Sequence, residues 1–133
     1  MMKKLFSTII LLLIINVCNS QIYKWRAIDY ASRQSFNSGT SWTDWTSWNT
    51  SGVLIVAGNQ RVNIYSATPQ TYDMIESVLK DYDKDGNPIY SVMCVDENGT
   101  RCKMIWYHSA SDGSYVLFEF SNLNLMYKVV SLD

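Results

Sequence analysis

Thr68-Pro-Gln-Thr-Tyr-Asp-Met-Ile-Glu-Ser-Val-Leu-Lys-Asp-Tyr-Asp83 is the stretch on which the fold class turns. Read as a helix, it has Thr68 as N-cap and Pro69 at the first helical position. Met74, Ile75, Val78, Leu79 and Tyr82 then share one helical face. Read as a strand, it puts Tyr72, Met74, Val78 and Tyr82 on one side, with Glu76 and Lys80 as exceptions. Periodicity alone leans slightly to the helix, so residues 69–83 stand as a possible helix in an otherwise strand-rich chain.

On both sides of this stretch the signals are those of strands. Downstream, Asp81-Tyr-Asp-Lys-Asp-Gly-Asn-Pro88 is a turn. Ile89–Val95, Arg101–His108, Tyr115–Phe120 and Leu123–Val130 then read as strands between Asp-, Asn-, Gly- and Ser-rich breaks. Upstream, the apolar run Val53–Ala57 and the alternating Arg61–Ser66 flank Gly58-Asn59-Gln60 and form a hairpin. Ile22–Arg33 is the first strand. No repeat, low-complexity tract or linker divides the chain, which implies one domain.

The segment Cys94-Val-Asp-Glu-Asn-Gly-Thr-Arg-Cys102 fixes a register. A two-residue Asn98-Gly99 turn would offset the cysteines onto opposite faces. A three-residue loop, Glu97-Asn98-Gly99, with Gly99 in the left-handed position of a G1 bulge, sets Cys94 directly against Cys102. Opposed positions have Cβ atoms about 4.5–5.5 Å apart, near enough for a disulfide after a modest adjustment.

The chain begins Met1-Met2-Lys3-Lys4, continues into the apolar run Ile9–Ile15, and reaches Cys18-Asn19-Ser20 before Gln21. That layout is a secretory signal peptide, residues 1–20, followed by a single β domain, residues 21–133. Its apolar stretch is shorter than the roughly 20 residues a membrane span needs, so no transmembrane segment is expected in the mature chain. Lipid attachment at Cys18 is a rival, weakened because Val17 stands where a small residue belongs. Removal of Cys18 leaves Cys94 and Cys102 as an even pair in an oxidising compartment, secreted or periplasmic. With Lys3 and Lys4 gone, 9 Lys and Arg face 12 Asp and Glu, and this weakly acidic balance carries no footprint for nucleic acid.

Candidate sites are few. Trp42-Thr-Asp-Trp45-Thr-Ser-Trp48 offers a stacking platform for a sugar or another flat ligand, against the plainer reading of large residues plugging a barrel end. Its spacing looks like the tryptophan run of thrombospondin type 1 repeats, in which tryptophans interleave with arginines of a neighbouring strand. That family's multi-cysteine framework is absent, so the likeness does not extend to the fold. Asp81, Asp83, Asp85 and Gly86 match the start of an EF-hand calcium loop, but Val92 stands where the bidentate glutamate belongs and Pro88 is off-pattern. His108, with Ser109 and Asp112, is too compressed in sequence for a catalytic triad. Glu76, Glu97 and Glu119 are isolated carboxylates, so no catalytic residue, metal or cofactor is assigned.

Several segments together resemble a group of short secreted domains of uncharacterised function from bacteria with a double membrane. They are Trp45, Arg61-Val-Asn-Ile-Tyr-Ser66, Gln70-Thr-Tyr-Asp-Met-Ile75, Asp83-Lys-Asp-Gly86, the cysteine hairpin, Leu117-Phe-Glu-Phe120 and Tyr127. The likeness spans most of residues 42–130 and omits the first strand. It implies no activity. It does imply a strand ahead of the Asp-Lys-Asp-Gly hairpin, which tips residues 70–82 towards strand. The expected fold is therefore all-β: an antiparallel meander of seven or eight strands, as a small barrel of lipocalin-like shape or a compact two-layer sheet. The expected function is non-enzymatic binding of a small apolar molecule, a protein or a glycan. An inhibitor docking on a secreted enzyme is one alternative. A small hydrolase pairing an Asp or Glu with His108 is another.

Overall fold

The computed structural model describes residues 22–35, 39–109 and 113–132. The signal-peptide and Cys18 readings, and Asp112, lie outside the described residues. Among the described residues ten strands occur: β1 (Tyr23–Gln34), β2 (Asn49–Thr50), β3 (Leu54–Ala57), β4 (Arg61–Tyr65), β5 (Gln70–Met74), β6 (Leu79–Tyr82), β7 (Pro88–Asp96), β8 (Arg101–Ser109), β9 (Gly113–Glu119) and β10 (Leu123–Ser131). They form one antiparallel sheet in the order β10-β9-β8-β7-β5-β4-β3-β1, and β1 pairs back with β10. Eight strands thus close a barrel, while β2 attaches to β1 and β6 to β7. Closure satisfies the edges that a two-layer sheet would leave open.

Residues 69–83 contain no helix. They form β5 and β6, which run one after the other along β7: Met74 faces Cys94, and Leu79 faces Ser91. The helical spacing of Met74, Ile75, Val78, Leu79 and Tyr82 loses to backbone pairing. β5 joins β4 to β7 and closes the wall, and a helix there would leave both neighbours with unpaired backbone groups. Tyr72 shows which side wins, since it is 4% exposed and stacks on Phe118 at 5.2 Å. The apolar residues that suggested a helix instead end up outside: Ile75, Val78, Leu79 and Tyr82 are all exposed.

The barrel interior is filled, not hollow. Alternate residues of the wall strands point inward, among them Ile55, Ile64, Met104, Val116 and Phe118. Two aromatic groups divide the core. Tyr72, Phe118 and Tyr127 pack towards one end. Tyr23, Trp25, Tyr90 and Trp106 pack at the other, as two stacked pairs tilted against each other.

A bulge in β1 changes which residues face out. Ala27 opposes Val129, but Asp29, not Ile28, opposes Lys128. Ile28 is the extra residue, and beyond it the inward parity flips. Before the bulge Trp25 and Ala27 point in; after it Tyr30, though 39% exposed, takes the side of its opposed partner Tyr127, with the ring centroids 6.3 Å apart. Arg33 is thereby turned to the outside.

Candidate ligand-binding site

β5 and β6 do not form one continuous strand. Between Met74 and Leu79 the chain takes five steps while β7 takes three, so residues 75–78 loop away from the wall. This loop and the β3–β4 turn form two lips. Between them lies a cleft of about 660 Å³. Ala57 and Gln60 line one lip, Met74, Ile75 and Val78 line the other, and Tyr23, Tyr90 and Trp106 make the floor. The volume lies within the range that small-molecule sites occupy.

Two features of the cleft are not explained by folding alone. Gln60 sits at φ +68°, in the left-handed region where a residue with a Cβ is strained by about 1 kcal/mol. Its carbonyl accepts the Met74 N–H at 2.8 Å and so ties the two lips together at their base. Trp106 is 5% exposed, and its Nε1–H has no hydrogen-bond partner among the described residues. A buried indole N–H is normally paired.

Cys94 and Cys102 are opposed as the loop length predicts, and Gly99 takes φ +83°. Asp96 and Thr100 exchange a backbone bond two residues away, so the cysteines also occupy a hydrogen-bonded pair, with Cα atoms about 5.5 Å apart. The expected bridge is not formed: both are buried thiols. The register permits a disulfide but does not require one. The hydrogen bond between the two thiols lowers the Cys94 thiol's pKa and, with burial, pushes that of Cys102 up.

Trp42, Trp45 and Trp48 do not alternate as a plain strand would. Thr43 N–H donates to the Gln34 carbonyl, and Thr43 Oγ1 accepts the Gln34 N–H. Thr46 repeats both bonds with Ser32. Three residues of this segment therefore match two of β1. The period-three tryptophans fall into step with the period-two outer face of β1. Arg33 lies between two of them, 4.9 Å from the Trp42 ring centroid and 4.8 Å from that of Trp45. With its amide turned to suit its neighbours, Asn124 accepts from Arg33 Nη2 at 2.9 Å and Nε at 3.0 Å. One rung of the tryptophan–arginine interleaving is thus present, and it occupies the facing sides of Trp42 and Trp45. Trp48 lies instead beside Tyr115, the rings tilted by 40° with centroids 6.3 Å apart.

Of the remaining candidates, all but Glu76 lie apart from the cleft. Asp83 accepts from the Asp85 and Asn87 backbone N–H groups at 2.8 and 2.9 Å, which makes it the cap of a hairpin turn. Asp81 accepts from the Tyr82 N–H. Among the described residues no three His, Cys, Asp or Glu side chains gather as a metal would require. His108 Nδ1 lies 2.8 Å from Ser114 Oγ on an exposed hairpin end, outside the cleft lining. Of the isolated carboxylates, Glu76 lines the cleft and Glu97 a smaller polar one of about 230 Å³ at the β7–β8 turn.

The cleft residues were not singled out by sequence reasoning. Tyr23, Tyr90 and Trp106 come from three different strands, and no local motif joins them. Tyr23 and Arg33 are ten residues apart on β1, on the order of 30 Å, so the cleft and the tryptophan ladder are separate places. Compared with protein-family models, curated proteins and solved structures, the chain matches none.

Proposed function

We propose that this protein is a non-enzymatic, secreted or periplasmic barrel module that binds a small, largely apolar ligand in the cleft between the β3–β4 turn and residues 75–78. The carrying observation is the cleft itself: concave, floored by three aromatic rings, and lipped by exposed Ile75 and Val78. Apolar side chains at 47% and 41% exposure beside a cavity are covered when a ligand enters. The tryptophan run supports this reading less, because Arg33 already stacks between Trp42 and Trp45. The signal-like first 20 residues and the likeness to short secreted bacterial domains support the compartment. In that compartment Cys94 and Cys102 would oxidise to a register-fixing disulfide.

Native mass spectrometry of the naturally secreted protein is the test. It should show a bound molecule lost on denaturation, and a mature mass two hydrogens below the dithiol form. Ile75→Asp with Val78→Asp changes only exposed residues and should lower ligand occupancy about tenfold or more, since each aspartate forfeits apolar burial at the lip. A protein that carries no ligand and binds no apolar probe would sink the proposal.

A further inference from the structure

The rim of the cleft carries two opposite charges that do not neutralise each other. Lys80 and Glu76 both line it and both are exposed. Among the described residues neither joins an ion pair, with the other or with a third group. Arg61 and Asp73, which open β4 and face it from β5 beside the other lip, do pair, at 2.9 Å. Lys80 is nevertheless held in place: its Nζ lies over the Tyr82 and Tyr90 rings at 5.5 and 5.7 Å, and Tyr90 belongs to the cleft floor. Hydrogen bonding to Tyr82 raises its pKa above the ordinary value, so it is a fixed positive charge at neutral pH. The two charges are four residues apart, at most about 14 Å of extended chain, and the looping of residues 75–78 shortens that span.

The uncharged polar groups complete the rim. Asn59 and Gln60 stand on the facing lip, and Ser77 follows Glu76. A carboxamide offers two donors and an acceptor, which is what a peptide bond needs from a neighbour.

We infer that the ligand is a short apolar peptide with free ends, its carboxylate at Lys80, its ammonium at Glu76 and its amide bond towards Asn59 and Gln60. This rests on the reading of the cleft as a ligand site and names the chemistry of what it takes.

Charge decides between ligand classes. An anionic ligand gains Lys80 and is opposed by Glu76; a cationic one meets the reverse. A hydrocarbon gains neither and lays its surface against two carboxamides. A zwitterion gains both charges, and at an open rim its ends stay partly hydrated, so no charge has to be buried to make the contact. The peptide's side chains then cover Met74, Ile75 and Val78. A zwitterionic lipid head would match the two charges, but its tail brings nothing for Asn59 and Gln60.

Titration calorimetry with four peptides of one apolar body tests this: leucyl-phenylalanine, its N-acetyl form, its C-terminal amide, and the form blocked at both ends. On the wild type, each block should weaken binding about threefold, the worth of a solvent-exposed ion pair. On Lys80→Gln the amide should bind at least as well as the free peptide. On Glu76→Gln the N-acetyl form should do so. Both residues are exposed, so neither variant disturbs the core. N-phenyl-1-naphthylamine, neutral and apolar, reports on the cleft independently of these charges. If the four peptides bind alike, or the variants leave their order unchanged, the inference fails while the cleft stands. If the naphthylamine binds and the peptides do not, and dodecylphosphocholine loses affinity on both variants, the rim reads a lipid head and the peptide is excluded. If neither the naphthylamine nor any peptide binds, the cleft reading fails and the inference falls with it.

Discussion

Asp83 and Asp96 do the same job, each capping a hairpin turn. Asp96 Oδ1 accepts the Asn98 and Thr100 N–H groups at 2.9 and 2.8 Å, as Asp83 Oδ1 accepts those of Asp85 and Asn87. Gly86 and Gly99 sit at φ +82° and +83°. Both turns are three-residue hairpin loops with an aspartate cap and a left-handed glycine. The second was legible in the sequence because the cysteines demanded a register; the first was obscured by its likeness to a calcium loop. Hydrogen bonds, the Asn87 N–H foremost, hold the Asp83 carboxyl below its ordinary 3.8. A folded value below the unfolded one contributes stability above the unfolded pKa and loses it as pH falls through the folded pKa. Asp83→Asn keeps an acceptor but no titration. Its urea midpoint should therefore fall less than the wild type's as pH drops below 3.8. Equal slopes for the two proteins would contradict this assignment.

The pairing of β1 with the tryptophan segment depends on an irregularity in each. Without the bulge at Ile28, Arg33 would keep the parity of Trp25 and point into the core. Without the three-for-two stepping at Thr43 and Thr46, the tryptophans would alternate and could not flank it. The spacing Trp-x-x-Trp-x-x-Trp was visible in the sequence, but its partner was not. A bulge is one extra residue in a ladder, and nothing in Ala27-Ile28-Asp29 marks it. Arg33 joins three elements: β1, residues 42–45, and Asn124 of β10, which is 3% exposed. Arg33→Ala removes two ring contacts and leaves the buried Asn124 amide short of a partner. It should cost about 2–3 kcal/mol in urea unfolding. Arg33→Lys should recover less than half, because an ammonium cannot lie flat between two rings. Full recovery by lysine would mean that charge alone, not the stacked plane, holds the segment.

Over the whole barrel, the eight wall strands find at least two neighbours each, while the two-residue β2 and the longer β6 are left with one. The all-β class and the hairpin order were readable from alternation and turn chemistry. The splaying of β6 was not, because it depends on where β5 must stop in order to close the wall. A free edge invites a second copy of the chain. An antiparallel pair of identical strands is related by a two-fold axis normal to the sheet, and opposed residues lie on the same face. The axis therefore passes through a residue, not between two. Centred in β6, it sets Lys80 against Lys80 or Asp81 against Asp81, a like-charge clash across the new pair. Asp81 also covers the Tyr82 N–H at 2.8 Å, which would otherwise be offered to the incoming strand. The edge is thus defended by its two central charges, with Leu79 at 62% and Tyr82 at 59% exposure on either side. Lys80→Thr with Asp81→Thr removes both charges and raises β propensity. Sedimentation velocity should show association strengthened about fivefold over the wild type. High salt should narrow that difference by screening the clash in the wild type. A double variant that sediments as the wild type does would show that some other feature keeps the β6 edge unpaired.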